Sequence, residues 1–68
     1  MTYSIEIDHE TDGRWIAEIP DLPGALAYGA TKGEALARVQ ALALRVVADR
    51  LEHGELALEF ATISFAAA

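Results

Sequence analysis

The segment from Thr31 to Gly54 constrains the fold most, because it predicts one long helix with both ends marked. Thr31 can cap the N-terminus, and Glu34, three residues later, can return a hydrogen bond and complete a capping box. The helix should begin at Lys32 and run to about His53, where Gly54 supplies the left-handed residue that commonly ends a helix. Such a helix is roughly 33 Å long at 1.5 Å per residue. It can cover a small sheet built from the rest of the chain.

The predicted helix carries two apolar stripes. A broad stripe is wide enough to cover a sheet, and we expect it to be core. Its members are Ala35, Leu36, Val39, Leu42, Ala43, Val46 and Val47. A second stripe on the opposite side, here called the helix flank, is not expected on a surface that faces water, so we expect it to pack against a second chain. The helix flank consists of Ala37, Ala41, Leu44, Ala48 and Leu51.

Two strands and a tight hairpin are predicted before the helix. Tyr3, Ile5 and Ile7 alternate with polar residues, which is typical of a strand with one buried face. Asp12 and Gly13 then favour a hairpin, because glycine accepts the positive φ that a tight reversal needs. A second strand follows over residues 15–19.

The stretch PDLPG, residues 20–24, predicts the end of the second strand and a change of direction. Pro20 has no N–H for a strand ladder, and Leu22 to Ala25 reads as a type II turn, with proline at the second position and glycine at the third. A third strand over residues 25–28 should follow. The residues with a structural role here are Pro20, Pro23, Gly24 and Gly29, where Gly29 closes the third strand.

A fourth strand is predicted over about Leu58 to Phe65, which completes the order β-β-β-α-β. The expected fold class is α+β, with one antiparallel or mixed sheet covered by a single helix, and we expect one domain over residues 1–68. The C-terminal segment is apolar with strong β-propensity, so as a bare sheet edge it would aggregate unless another chain paired with it. The residues of this segment expected at that interface are Phe60, Ile63 and Phe65.

Composition supports self-association and excludes several classes of site. No cysteine is present, so disulfides and thiolate metal sites are ruled out, and 53% of the residues are hydrophobic, more than one small core should hide. A dimer or tetramer is therefore expected. The apolar runs are too short to span a membrane and the N-terminus does not resemble a signal peptide, so we expect a cytoplasmic protein.

The net charge of −6 points to a basic protein partner. Residues 1–30 contain six acids and one base, whereas residues 31–68 contain five acids and four bases. Five bases in all are too few to predict direct binding to nucleic acid. A basic protein surface would complement the acidic front half. The acids expected to bind it by charge are Asp8, Glu10, Asp12, Glu18 and Asp21.

Catalysis and metal binding are not expected. Metal-dependent cleavage of RNA needs carboxylates that converge on divalent ions. Glu6, Asp8 and Glu18 fall on the strand face opposite the apolar residues, away from Glu34 at the helix start. His9 has acidic neighbours in the hairpin, but solvated loop acids explain them. We therefore predict no catalytic residue, no bound metal and no cofactor.

The order of these signals resembles the HicB-type antitoxins. The segments PDLPGA (residues 20–25) and TKGEAL (residues 31–36) lie close to the family pattern PDLPGC followed by G-x-T-x-E-E-A-L. Ala25 stands in place of the frequent cysteine, and Gly33 where an acidic residue is common. The resemblance implies a partly degenerate ribonuclease H-like fold in which the last strand joins beside the first. It also implies a role in neutralising a small basic HicA-type toxin that cleaves mRNA.

The predicted function is that of a protein-binding module of a type II toxin–antitoxin system, which covers the active surface of such a toxin. Longer family members add a C-terminal DNA-binding domain, which this chain is expected to lack. An alternative is an orphan self-associating structural or regulatory protein without a toxin, in which a ligand could bind between subunits. A metal-dependent ribonuclease is a weaker alternative.

Overall fold

A computed structural model describes residues 1–55 and 62–67 of the chain. Within these residues, four strands and one helix follow one another as β1 (Thr2–His9), β2 (Trp15–Glu18), β3 (Leu26–Gly29), α1 (Lys32–Glu52) and β4 (Ser64–Ala67). The sheet order is β3-β2-β1-β4. β1 pairs antiparallel with β2, β2 pairs antiparallel with β3, and β4 lies parallel to β1. The predicted α+β fold with one mixed sheet, one helix and the last strand beside the first is confirmed.

The fourth strand lies further along the chain than predicted. It begins at Ser64 and ends at Ala67, whereas the prediction placed it over about residues 58–65; Thr62 and Ile63 precede it, and residues 58–61 lie outside the described ranges. Its position follows from its partner, because the ladder begins where β1 begins, with Thr2 opposite Ser64. Pairing with β1 thus draws alanines into a strand that their propensity does not favour.

The hairpin between β1 and β2 is built as predicted around Gly13, whose φ is +93°. The Gly13 N–H donates to the Glu10 carbonyl at 3.1 Å, and the Glu10 N–H donates to the Arg14 carbonyl at 2.7 Å. A hydrogen-bonded turn that ends in a left-handed glycine is a common form of three-residue hairpin loop.

The PDLPG segment forms the predicted type II turn. The Ala25 N–H donates to the Leu22 carbonyl at 2.9 Å, and Gly24 has φ +91°. The Ile19 N–H donates to the Ala25 carbonyl at 2.9 Å and closes the loop at its base. Ile19, Leu22 and Ala25 are each 1% exposed, so this loop adds three side chains to the core as well as redirecting the chain.

Both helix ends are capped, with one difference from the prediction. The Glu34 N–H donates to Thr31 Oγ1 at 3.1 Å, but the Glu34 carboxylate accepts from the N–H of Ala30 at 3.4 Å instead of from Thr31 itself. At the other end His53 is the C-cap and Gly54 has φ +68°. The Gly54 N–H reaches the Leu51 carbonyl and the Glu55 N–H reaches the Arg50 carbonyl, which together form a Schellman motif.

The core lies between one face of the sheet and the broad stripe of α1. The helix lies mainly over β3 and β2 and touches β1 less. The two layers approach closely at Gly29, where an added Cβ would lie 2.5 Å from the backbone nitrogen of Ala35. The fully buried members of the stripe are Ala35, Val39, Ala43 and Val47, and the partly buried members are Leu36, Leu42 and Val46.

Candidate protein-binding face

One face of the sheet is left uncovered by the helix. Because strand residues alternate between faces, the burial of Ile5 and Ala17 beneath α1 places their neighbours on the other side. Within the described ranges no second layer packs on that side, and its acidic side chains are exposed. We call this surface the open sheet face. It consists of Glu6, Asp8, Ile16, Glu18, Leu26 and Tyr28.

The strand register arranges the open sheet face in two rows that cross three strands. Glu18 of β2 lies opposite Glu6 on one side and Leu26 on the other. In the second row, Ile16 lies opposite Asp8 and Tyr28. Leu26 and Tyr28 are each 39% exposed. The face is therefore apolar over β3 and acidic over β1, and the two halves meet on β2.

Glu6 and Glu18 form a like-charged pair directly across two strands. Directly opposite residues have Cβ atoms about 4.5–5.5 Å apart, and like charges at this spacing destabilise a sheet. None of the five lysines and arginines of the chain lies within ion-pair distance of either glutamate. Arg14 and Arg38 pair with other acids, and Lys32, Arg45 and Arg50 make no salt bridge with a described residue. The folded chain leaves this pair uncompensated.

Arg14 is held at the apolar side of the open sheet face. Its guanidinium carbon lies 4.5 Å from the centre of the Tyr28 ring, and its Nε donates to Asp12 Oδ2 at 2.8 Å. Asp12 also accepts from the Arg14 backbone N–H at 3.1 Å. That backbone hydrogen bond, followed by the guanidinium, lowers the pKa of Asp12 below its ordinary value. The base that lies over Tyr28 is thus already paired with an acid.

The predicted acidic residues are only partly brought together. Asp8 and Glu18 lie on the open sheet face, whereas Asp12 and half-buried Glu10 belong to the hairpin loop and Asp21 to the turn between β2 and β3. The prediction omitted four members of the face from the partner-binding set. Strict alternation along the strands would have indicated all four. They are Glu6, Ile16, Leu26 and Tyr28.

The carboxylates considered for nuclease chemistry lie in different layers. Glu6 and Glu18 project from the open sheet face, while Glu34 lies at the start of α1 on the opposite side of the sheet. Glu34 Oε1 forms an ion pair with Arg38 at 2.9 Å, and Arg38 also donates to the Tyr28 carbonyl at 2.9 Å. This pair links the helix to β3.

Two histidines have local partners. His9 stacks on Trp15 with ring centres 4.3 Å apart. At the end of α1, the side chains of Asp49, His53 and Glu55 each offer an atom that could ligate a metal ion, and these atoms lie within 4.8 Å of one another. The Schellman motif brings Glu55 back towards the helix. All three are exposed, and His53 Nδ1 lies 2.7 Å from the Asp49 carbonyl, as in a helix cap. The described residues enclose no pocket.

The residues expected at a subunit interface fall in two environments. All five members of the helix flank are exposed, including Leu44 at 49% and Leu51 at 41%. Ile63 and Phe65 are partly buried against the chain's own core, and the Phe65 ring lies 6.0 Å from that of Tyr3. Phe60 lies outside the described residues.

Over the described ranges, no helix has the length and apolarity needed to cross a membrane.

Comparison with known proteins identifies a family. No protein-family model matches the chain, and no solved structure matches it. The UPF0150 protein Ta0767 of Thermoplasma acidophilum is 31% identical over 55 residues, which are 81% of this chain and 80% of that protein. With this identity across four fifths of both sequences, the chain belongs to the UPF0150 family.

Proposed function

We propose that this protein is a HicB-type antitoxin module, which acts in the cytoplasm by covering the active surface of a small basic mRNA-cleaving toxin. The observation that carries the proposal is the open sheet face, an apolar and acidic surface that no element within residues 1–55 and 62–67 covers. A protein that works by binding needs such a surface and needs no catalytic group. The carboxylates described above would then act as charge partners.

Charge supports a basic protein as the target. Net charge −6 gives long-range attraction to a basic surface and raises the rate of encounter. Two of the five bases, Arg14 and Arg38, are paired with acids of the same chain, so the negative potential over β1 is not offset locally. The resemblance of PDLPGA and TKGEAL to the HicB pattern gives the expected target class.

Co-expression with a small basic protein encoded beside this gene tests the function. We expect the two proteins to co-purify at low ionic strength and the complex to weaken as salt rises, because screening shortens the reach of exposed charges to about 10 Å at 0.1 M. Purified toxin should cleave mRNA, and cleavage should stop when this protein is added in equimolar amount. A toxin that stays fully active with this protein in excess would contradict the proposal.

The exposed helix flank supports a second role, self-association. Five apolar or small residues on one side of a helix form a surface that a second copy can cover without burying a charge. An orphan structural or regulatory oligomer would use this surface without any toxin.

Ala41→Glu tests self-association at the centre of the helix flank. We expect the particle mass in solution to fall to that of one chain, because the variant places a larger, charged side chain at the centre of the interface, where its desolvation is costly. Light scattering or analytical ultracentrifugation measures this mass. Lys32→Glu, at the exposed start of α1 outside the flank, is the control and should leave the mass unchanged. An equal mass for Ala41→Glu and the unmodified protein would rule out the flank as the interface.

A further inference from the structure

We propose that the open sheet face recognises a two-part feature on its protein partner: one cationic side chain that enters between Glu6 and Glu18, and one apolar side chain that packs on Ile16, Leu26 and Tyr28. This inference rests on the proposed function and specifies the chemistry of the partner. It assigns the two halves of the face different tasks.

The position proposed for the partner's cationic side chain follows from the strand register. Glu6 and Glu18 lie directly opposite each other, and no base of the chain lies within ion-pair distance of either. A guanidinium or ammonium group placed between them would remove their mutual repulsion and gain two charge-assisted hydrogen bonds. Asp8, in the adjoining row on β1, adds a third negative charge on the same side. Binding would therefore relieve a cost that the free protein carries.

The centre of the apolar half lies one to two strands from the centre of the Glu6–Glu18 pair. Leu26 and Tyr28 are each 39% exposed, and Ile16 lies between Tyr28 and Asp8. Neighbouring strands are about 4.8 Å apart, so the centres of the two halves are separated by roughly 5–10 Å. On a helical partner, a basic and an apolar residue separated by one turn have Cβ atoms about 5–6 Å from each other. This spacing matches the lower end of the range between the two halves of the face.

A second copy of this chain does not fit the open sheet face. In a two-fold face-to-face pairing, the acids over β1 would meet either the same acids or the apolar side chains over β3, and neither neutralises them. Arg14, whose guanidinium lies over Tyr28, already pairs with Asp12. Charge therefore separates the two exposed surfaces: the helix flank suits a copy of the chain, and the open sheet face suits a basic protein.

Glu18→Lys tests the inference and separates binding from folding. The variant places a lysine directly opposite Glu6, so a pair of opposite charges replaces a pair of like charges. We therefore expect the free energy of unfolding in urea to be unchanged or higher. The probe is a short synthetic helical peptide with arginine and leucine one turn apart, and a second peptide with glutamine in place of arginine. With isotope-labelled protein, we expect the arginine peptide to shift the amide resonances of β1, β2 and β3, and Glu18→Lys to weaken its binding about tenfold.

Glu52→Lys is the matched control, because it makes the same charge change at an exposed site on the last turn of α1. It should weaken binding of the arginine peptide much less than Glu18→Lys does, and the glutamine peptide should bind weakly to every variant. Three results would overturn the inference: no binding of the arginine peptide, shifts centred on the helix flank, or equal loss from both lysine variants.

Failure of the inference and failure of the proposed function give different results. If the neighbouring basic protein binds but Glu18→Lys binds it equally well, the function stands and the assigned face is wrong. If the arginine peptide binds at the open sheet face but no toxin is neutralised, the recognition chemistry stands and the antitoxin role is wrong.

Discussion

Leu22→Ala should reduce the free energy of unfolding by about 2–5 kcal/mol, the range for large-to-small changes in a core. Leu22 is 1% exposed although it lies in the loop between β2 and β3. The loop is held by hydrogen bonds on both sides of Leu22, to Ile19 and to Ala25, so it cannot readily collapse into the space left behind. A domain of this size has a total stability of roughly 3–10 kcal/mol. The variant should therefore be close to unfolding.

Urea denaturation monitored by circular dichroism measures this loss, and the melting temperature should fall by about 10 °C or more. Leu44→Ala is the control, because it makes the same change at a helical position that is 49% exposed. Measured at low protein concentration, where self-association contributes little, it should change stability by no more than about 0.5 kcal/mol. Equal losses at the two positions would show that Leu22 is not a core residue.

Gly29→Ala should destabilise the protein by about 1–3 kcal/mol or more through overpacking. A Cβ at Gly29 would lie 2.5 Å from the Ala35 nitrogen and 3.0 Å from the Ala35 Cα. Both are backbone atoms at the start of α1, so relief requires the helix to move away from β3. Since the buried residues Ala35 and Val39 lie on this part of the helix, that movement would open the core.

Gly33→Ala is the matched control, four residues later in the chain. An added Cβ there meets no atom within 4 Å, and alanine is favoured over glycine within a helix, so stability should rise by about 0.5–1 kcal/mol. We therefore predict that Gly29→Ala lowers the free energy of unfolding and that Gly33→Ala raises it. Thermal and urea unfolding measure both changes. A neutral or stabilising Gly29→Ala would mean that the helix does not approach β3 as closely as described.

Local chemistry was sufficient to predict the turns and the helix ends. Gly13, Gly24 and Gly54 all have positive φ, as the hairpin, the type II turn and the helix C-terminus require. Thr31 caps the helix as expected. Each of these features depends on residues within a few positions of one another, so no knowledge of distant partners is needed to recognise them.

Features that depend on distant partners were predicted less well. The fourth strand is displaced to Ser64–Ala67 because β1 sets its register. The bond from the Ala30 N–H to the Glu34 carboxylate is a smaller, local difference between residues four positions apart. The sequence marked Gly29 as the end of a strand but did not indicate that α1 rests against it.

The candidate site also combines features that the sequence predicts with features that only the structure shows. The acidity of the front half and the face on which Glu6, Asp8 and Glu18 lie follow from composition and alternation alone. The pairing of Glu6 with Glu18, and the meeting of acidic and apolar halves along β2, come from the antiparallel register between strands.

By itself, the sequence determined the type and order of the elements, the turn and cap residues, the buried stripe of the helix and the sign of the surface charge, because periodicity and local hydrogen bonding act over short stretches of chain. The tertiary structure decided which strands are neighbours, where β4 pairs, how closely Gly29 and Ala35 approach, and that no described element covers the second face of the sheet. These depend on contacts between different elements, whose geometry is set only when the strands pair and the helix packs on the sheet.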